Sequence, residues 1–231
     1  MILVRTKHSL LLKLLKRASN NGIIKKGGDV MKKFVIAISR QFGCGAHEIS
    51  EKLSKQLSVP VYDKEIIKLS ATESGIDENI FQFYDERPSR SFLYSLMSDG
   101  YAAVTNSPGT LEDKVFLYQY DTIKKVAEEN CIIVGRCADY ILRENDALFS
   151  VFLYADMDYR RARVIDTYGI DAKDAVKEIR ATDKKRARFH DFYSDSKWGD
   201  ATSYDLCINV ARLGVDGAVD LIIRSINNIC N

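Results

Sequence analysis

The stretch from Phe34 to Leu57 constrains the chain most. Phe34 to Ile38 is a continuous apolar run rich in Val and Ile, the pattern of a strand buried on both faces. A glycine loop, Gly43-Cys44-Gly45, follows, and then Ile49, Leu53 and Leu57 recur every four residues, which is the spacing of an amphipathic helix. Strand, glycine loop and helix in that order aim backbone N–H groups and a helix N-terminus at one point, where an anion is favoured.

The full phosphate-loop pattern is G-x-x-x-x-G-K-S/T. With Gly45 as its second glycine, Arg40 falls at the first, Ala46 at the lysine and His47 at the hydroxyl residue. Extending the match by one residue sets Glu48 opposite a threonine. Either way the lysine is absent. The candidate loop for nucleotide phosphates is therefore Arg40, Gly43, Cys44, Gly45, Ala46, His47 and Glu48, with His47 as a residue of the helix start and not a general base. The bland alternative is a strand-to-helix turn with two glycines that binds nothing.

The rest of the chain alternates short apolar runs with helical spacing. Val59-Pro60-Val61-Tyr62, Cys131 to Val134, Leu148 to Tyr154 and Leu206 to Val210 read as strands. Glu65 to Thr72, Met157 to Tyr168 and Ala172 to Phe192 read as helices. Leu111, Val115, Tyr118, Thr122 and Val126 mark one face of another helix, and Val215, Val219, Ile222 and Ile226 space a last one. Such alternation predicts an α/β fold with a parallel sheet and helices on both faces. The polar, aromatic stretch of about 75–109 reads as a small helical insert. Trp198-Gly199-Asp200 reads as a turn.

Charge divides the chain unevenly. Residues 1–30 hold seven Lys and Arg against one Asp, a net +6, so the total of +2 leaves −4 on the remainder. An acidic body carries no footprint for nucleic acid. Residues 1–30 are expected to lie outside the fold as a basic extension, with the domain over 31–231; a targeting or membrane-surface segment is the other reading. Hydrophobic residues make up 46% of the chain, enough for a packed core, and no apolar run reaches a bilayer's span. None of the five cysteines forms a C-x-x-C pair, so reduced thiols in a cytoplasmic protein are expected.

Candidate site residues cluster at strand ends and on two helices. Arg136 follows a buried strand and a glycine, where crevices form at a parallel sheet's edge. Asp63 ends the second strand and either binds an acceptor, holds a magnesium-bound water or caps the next helix. Arg160 and Arg163 share one helix face. Arg180, Asp183, Arg186 and His190 share another, and either meet phosphate or pair among themselves.

Five segments together resemble the cytidylate-kinase-like family, a divergent branch related to bacterial cytidylate kinases. They are "SRQFGCGAHEIS", "VPVYDKEII", "IIVGRCADYIL", "DKKRARFHDFYSDSKWGDATSYDLCIN" and the closing "LGVDGAVDLI". In the third, Cys137 stands where the cytidylate-kinase pattern has an aspartate. The resemblance runs from Lys33 to about Ile226. It implies a P-loop kinase fold with a helical lid over about 170–198, and transfer of a phosphoryl group from ATP with Mg2+ to a nucleoside monophosphate or similar small acceptor. It implies that Arg136 contacts the monophosphate, that Asp63 and Asp183 serve the substrate, and that Arg160, Arg163, Arg180 and Arg186 meet the donor phosphates. A nucleotide-binding regulatory protein without phosphotransfer, or a kinase of a non-nucleotide metabolite, would share these features.

Overall fold

A computed structural model describes residues 32–86 and 111–230. The expected basic extension and most of the expected insert fall outside these residues. The chain forms β1 (Val35–Arg40), α1 (Ala46–Leu57), β2 (Val61–Tyr62), α2 (Glu65–Ser74), α3 (Glu78–Tyr84), α4 (Leu111–Val126), β3 (Cys131–Val134) and α5 (Ala138–Ile141). Then come β4 (Leu148–Tyr154), α6 (Met157–Tyr168), α7 (Ala175–Tyr193), β5 (Leu206–Asn209) and α8 (Val210–Cys230). The strands lie in the order β2-β3-β1-β4-β5, and every pairing is parallel. Parallel neighbours need crossovers, and the helices supply them on both faces.

Successive strand residues face opposite sides, so each strand feeds two cores. Ile36, Ile38, Val151, Leu153 and Ile208 pack against Ile49 and Leu53 of α1 and Val219, Ile222 and Ile226 of α8. Val35, Ala37, Cys131 and Ile133 pack on the other side against α4, α5 and α7 through Phe116, Ile123, Ile141 and Phe189. Burying Ile49 and Leu53 completely contributes about 1.5–3 kcal/mol each and fixes α1 under the glycine loop.

Some element boundaries differ from the sequence reading. The last strand stops at Asn209, and Val210 already begins α8, which bends at Gly214. α7 begins at Ala175 and not Ala172, because Asp171–Asp174 close a turn first. The buried face of α4 is also wider than one stripe. Phe116, Leu117 and Ile123 enter the main core while Val115 packs on α2 and α3, and Tyr118 is left exposed. A helix wedged between two neighbours is buried on more than the one face that periodicity marks. No helix among the described residues is long and apolar enough to cross a membrane.

Ser150 is a polar residue inside β4, buried at 6% exposure. Asp205, just before β5, satisfies it: one carboxylate oxygen accepts from both the Ser150 amide and its hydroxyl at 2.7 Å. The Ser150 hydroxyl oxygen in turn accepts from the Asp205 amide at 3.0 Å. Asp205→Ala should therefore leave the Ser150 amide and the hydroxyl hydrogen without their acceptor and lower stability by about 1–3 kcal/mol. Asp205→Asn, which keeps an acceptor, should lose less. Urea unfolding of the three proteins checks this; equal midpoints would mean that Asp205 contributes nothing to the β4–β5 edge.

Candidate active site

β1 ends at Arg40, and residues 41–45 turn over the carboxyl edge of the sheet into α1. Gly43, Cys44, Gly45 and Ala46 are buried while His47 and Glu48 are exposed. Gly43 has φ 81°, and a Cβ there would fall 2.9 Å from the Arg160 carbonyl oxygen and 2.9 Å from Val164 Cγ1. The glycine thus permits α6 to lie directly on the loop. Other contacts hold the turn from outside. The Phe42 amide donates to Asp183 Oδ1 at 2.7 Å, the Gln41 amide to the Leu153 carbonyl at 2.9 Å, and Gln41 Oε1 accepts from the Ala155 amide at 3.2 Å. The Cys44 thiol lies inside the turn, where burial pushes its pKa up to about 11 against the pull of Arg186, Arg40 and Arg160. It is a packed thiol and not a nucleophile at neutral pH.

Arg160 and Arg163 both reach the loop from α6. Arg160 is buried and ion-pairs with Asp183 of α7. Arg163 pairs with Glu48 at 3.1 Å, and its guanidinium lies over Gly45, 3.2 Å from where a Cβ would stand. On α7 the expected face divides. Asp183, Arg186 and His190 turn inward; Arg180 is exposed and makes no hydrogen bond or ion pair among the described residues. Asp183 finds its partners across helices, in Arg160 and Phe42, and not in Arg180 or Arg186 as spacing along α7 allowed. Arg186 donates to the Arg40 carbonyl at 3.2 Å.

The third component is the turn after β3. Gly135, Arg136 and Cys137 all have positive φ, of 78°, 53° and 55°. Two such non-glycine residues in succession are rare and strained. Space decides the first: a Cβ on Gly135 would fall 2.3 Å from Arg40 Nη1. The turn lets the Arg136 guanidinium bury itself at 4% exposure among acceptors. It donates to Asp85 Oδ1 and Oδ2 at 3.2 and 3.1 Å, to Asp63 Oδ1 at 3.1 Å and to the Val134 carbonyl at 3.1 Å. Burial alone would lower its pKa, but Asp85, Asp63 and Glu86 raise it. Glu86 in turn ion-pairs with Arg40 at 3.3 Å and Arg186 at 3.8 Å. Burial would raise the Glu86 carboxyl, but Arg40, Arg186, Arg136 and Lys185 hold it down at about 2.

Guanidinium groups from β1, β3, α6 and α7 thus surround a phosphate-type loop at the carboxyl edge of a parallel sheet. Residues 35–212 match the Cytidylate kinase-like family. The chain belongs to that family. Among relatives, a cytidylate kinase of Archaeoglobus fulgidus is 28% identical over 110 residues, covering 46% of this chain and 58% of the relative. A cytidylate kinase of Thermococcus sibiricus is 25% identical over 200 residues, covering 86% of this chain and 90% of the relative. An uncharacterized protein of Eubacterium ventriosum superposes with a TM-score of 0.63 at 30% identity, over 84% of this chain and 99% of that one. A shikimate kinase from Bacteroides thetaiotaomicron superposes with a TM-score of 0.51 at 14% identity, over 84% and 98%, a likeness of fold alone.

Within this cytidylate kinase-like domain the predicted residues Arg40, Arg136, Asp63, Asp183, Arg160, Arg163 and Arg186 converge, and Arg180 does not. Asp85, Glu86 and Asp139 escaped the sequence reading. The acidic pair lies in the polar, aromatic stretch after residue 75, which carries no signal for it.

His190 lies behind the arginines and not among them. It is buried, with Nε2 2.8 Å from Asp139 Oδ2 and Nδ1 3.1 Å from Ser194 Oγ. Burial alone would lower its pKa, but Asp139, helped by Asp191, raises it above the ordinary 6.5. A raised folded-state pKa gives stability that is complete below the unfolded value and is lost as pH rises through the folded one. The stability advantage of wild type over His190→Gln should therefore be largest below pH 6.5 and shrink above it. Urea midpoints measured across that range for both proteins test this. An advantage that grows with pH would mean that His190 stays neutral.

Proposed function

We propose that this protein is an ATP-dependent phosphotransferase that acts on a nucleoside monophosphate, with cytidylate as the first candidate acceptor. The observation that carries the reading is the convergence of Arg40, Arg136, Arg160, Arg163 and Arg186 on one sheet edge beside the α1 N-terminus. Phosphoryl transfer needs positioning and charge neutralisation and no protein nucleophile. The names of the two archaeal relatives support cytidylate as acceptor.

The residues present fit a nucleoside triphosphate. The glycine loop and the α1 N-terminus would receive the donor phosphates, and Arg163 over Gly45 supplies charge where Ala46 lacks a lysine. Arg160 Nε and Arg186 Nε are buried without hydrogen-bond acceptors among the described residues, a cost that an anion would relieve. Magnesium, entering with the nucleotide, would be held by phosphate oxygens and water with Asp63 as the carboxylate beside it; it supplies charge neutralisation when bound. No group of three acidic, His or Cys residues among the described ones forms a metal site of its own. Asp63 and Asp85 orient Arg136 toward the acceptor. Arg180 has no part in this arrangement.

One observation favours a second reading, a nucleotide-binding protein without transfer: Ala46 stands at the lysine position. Thermal-shift measurements with ATP and each nucleoside monophosphate, followed by a coupled phosphotransfer assay that includes small hydroxyl acceptors, separate the two. Binding without turnover on any acceptor overturns the kinase reading.

Two substitutions sharpen it. Arg186→Ala should cut turnover roughly tenfold to a thousandfold, the ~1.4–4 kcal/mol of one lost charge-stabilising donor, and weaken nucleotide binding less. It should also lower the melting temperature, because Glu86 then loses one of its buried cations. Turnover unchanged in an active preparation would remove Arg186 from the mechanism. Ala46→Lys should not raise turnover, since Ala46 is buried in the core with Ile49 and Leu53 and Arg163 already covers the neighbouring Gly45. A large gain in steady-state rate would instead mark a site that had lost its catalytic cation.

A further inference from the structure

Glu86 is a carboxylate in a place that suits a larger anion. It is 9% exposed and lies just beyond the end of α3. Buried charge-assisted pairs normally close to ~2.7–2.9 Å, yet Arg40 Nη1 stays 3.3 Å from Oε1 and Arg186 Nε 3.8 Å from Oε2. At that distance the Arg186 Nε hydrogen is not bonded, and it has no other acceptor among the described residues. Two guanidinium groups share this one negative charge, while Arg136 is committed to Asp63 and Asp85 and adds its field from alongside. The crowding is felt: burial and the neighbouring Arg40 lower the Arg186 pKa to about 10. Glu86 also has φ 54°, a backbone conformation that a non-glycine residue adopts rarely and at a cost in energy.

We propose that the Glu86 carboxylate holds the place of a phosphate group, and that the pair Arg40 and Arg186, flanked by Arg136, takes up a tetrahedral dianion in exchange for it. The dianion brings twice the charge and oxygens in three dimensions, enough to reach the Nε hydrogen that the planar carboxylate leaves unbonded. Released, Glu86 gives up a strained backbone and regains water. Until it is released it competes with the incoming anion, so the apparent affinity is the intrinsic one reduced by the fraction of molecules in which Glu86 has left. That the natural anion is a substrate's phosphate rests on the reading above; the exchange itself does not.

The test uses inorganic phosphate at pH 8 and sulfate as probes, titrated calorimetrically into wild type, Glu86→Gln and Arg186→Gln, with thermal melts of each. Glu86→Gln should melt lower than wild type in anion-free buffer, because two buried cations lose their counter-charge. It should bind phosphate about tenfold tighter, the return of one charge-assisted contact, and gain more melting temperature from phosphate than wild type does. Arg186→Gln should bind neither anion measurably. Phosphate binding to Glu86→Gln that is equal to or weaker than wild type overturns the proposal, since a carboxylate that merely props the arginines would act so. If Glu86→Gln fails to fold in dilute buffer, refolding is repeated in phosphate: recovery supports the exchange, and failure there too overturns it. A protein that shows the exchange yet phosphorylates nothing would keep this proposal and lose the kinase reading. An active kinase whose Glu86→Gln form binds phosphate no tighter would do the reverse.

Discussion

Asp183 accepts the Phe42 amide on one oxygen and the Arg160 guanidinium on the other. Those two contacts join the loop after β1, the helix α6 and the helix α7 at a single carboxylate. Hydrogen bonds to a buried charge are among the stronger ones a fold contains, and removing the charge leaves both donors unpaired. Around this point Arg40 and Arg186 are also ordered, Arg186 by its bond to the Arg40 carbonyl. The glycine loop therefore does not owe its shape to glycine alone. The Phe42 and Gln41 amides are held by Asp183 of α7 and by the Leu153 carbonyl of β4.

Such an arrangement is expensive in desolvation and would not persist without matched acids. Arg40, Arg136, Arg160 and Arg186 sit among Glu86, Asp63, Asp85 and Asp183. Buried ion pairs of this kind are weak sources of net stability, because the desolvation penalty offsets most of the attraction. What they do is hold the guanidinium groups in fixed orientation, and under the phosphotransferase reading proposed above that is the preorganisation electrostatic catalysis requires. The strained turn at Gly135, Arg136 and Cys137 belongs to the same economy. It seats Arg136 on its two aspartates and clears the space that the Arg40 guanidinium fills.

How much of this was legible in the sequence depends on range. The strands read clearly because burial on both faces makes them unbroken apolar runs, as in Cys131 to Val134. α1 read clearly because one face alone is buried. Spacing on α7 grouped Asp183, Arg186 and His190 correctly as neighbours, yet it could not supply their partners, which come from 141, 146 and 51 residues away. It also included Arg180, since the angular step between 180 and 183 leaves one residue inside the contact and the next outside it. His190 read as part of the arginine face and is instead an anchor on Asp139, because a period says which side a residue is on and not how deep its neighbours lie. Asp85 and Glu86 had no pattern to betray them. Their burial depends on Arg40, Arg136 and Arg186 arriving from three other elements.

The missing lysine is best understood against this background. A lysine at position 46 would be one flexible charge rising from the start of α1. Here the positive charge is divided among guanidinium groups that approach from α6 and α7 and from the ends of β1 and β3, each tied to an acid or a carbonyl. Planar guanidinium groups lose less freedom per hydrogen bond formed than an ammonium on a four-carbon stem. They also do not deprotonate at physiological pH, so the field at the loop is constant. Ala46 packs in the core with Ile49 and Leu53, and cationic charge is present at the loop without a lysine, because Arg163 lies over Gly45 and Glu48 holds it there at 3.1 Å. In the extended match Glu48 stands opposite a threonine, and in this structure it anchors the Arg163 cation of α6 on α1.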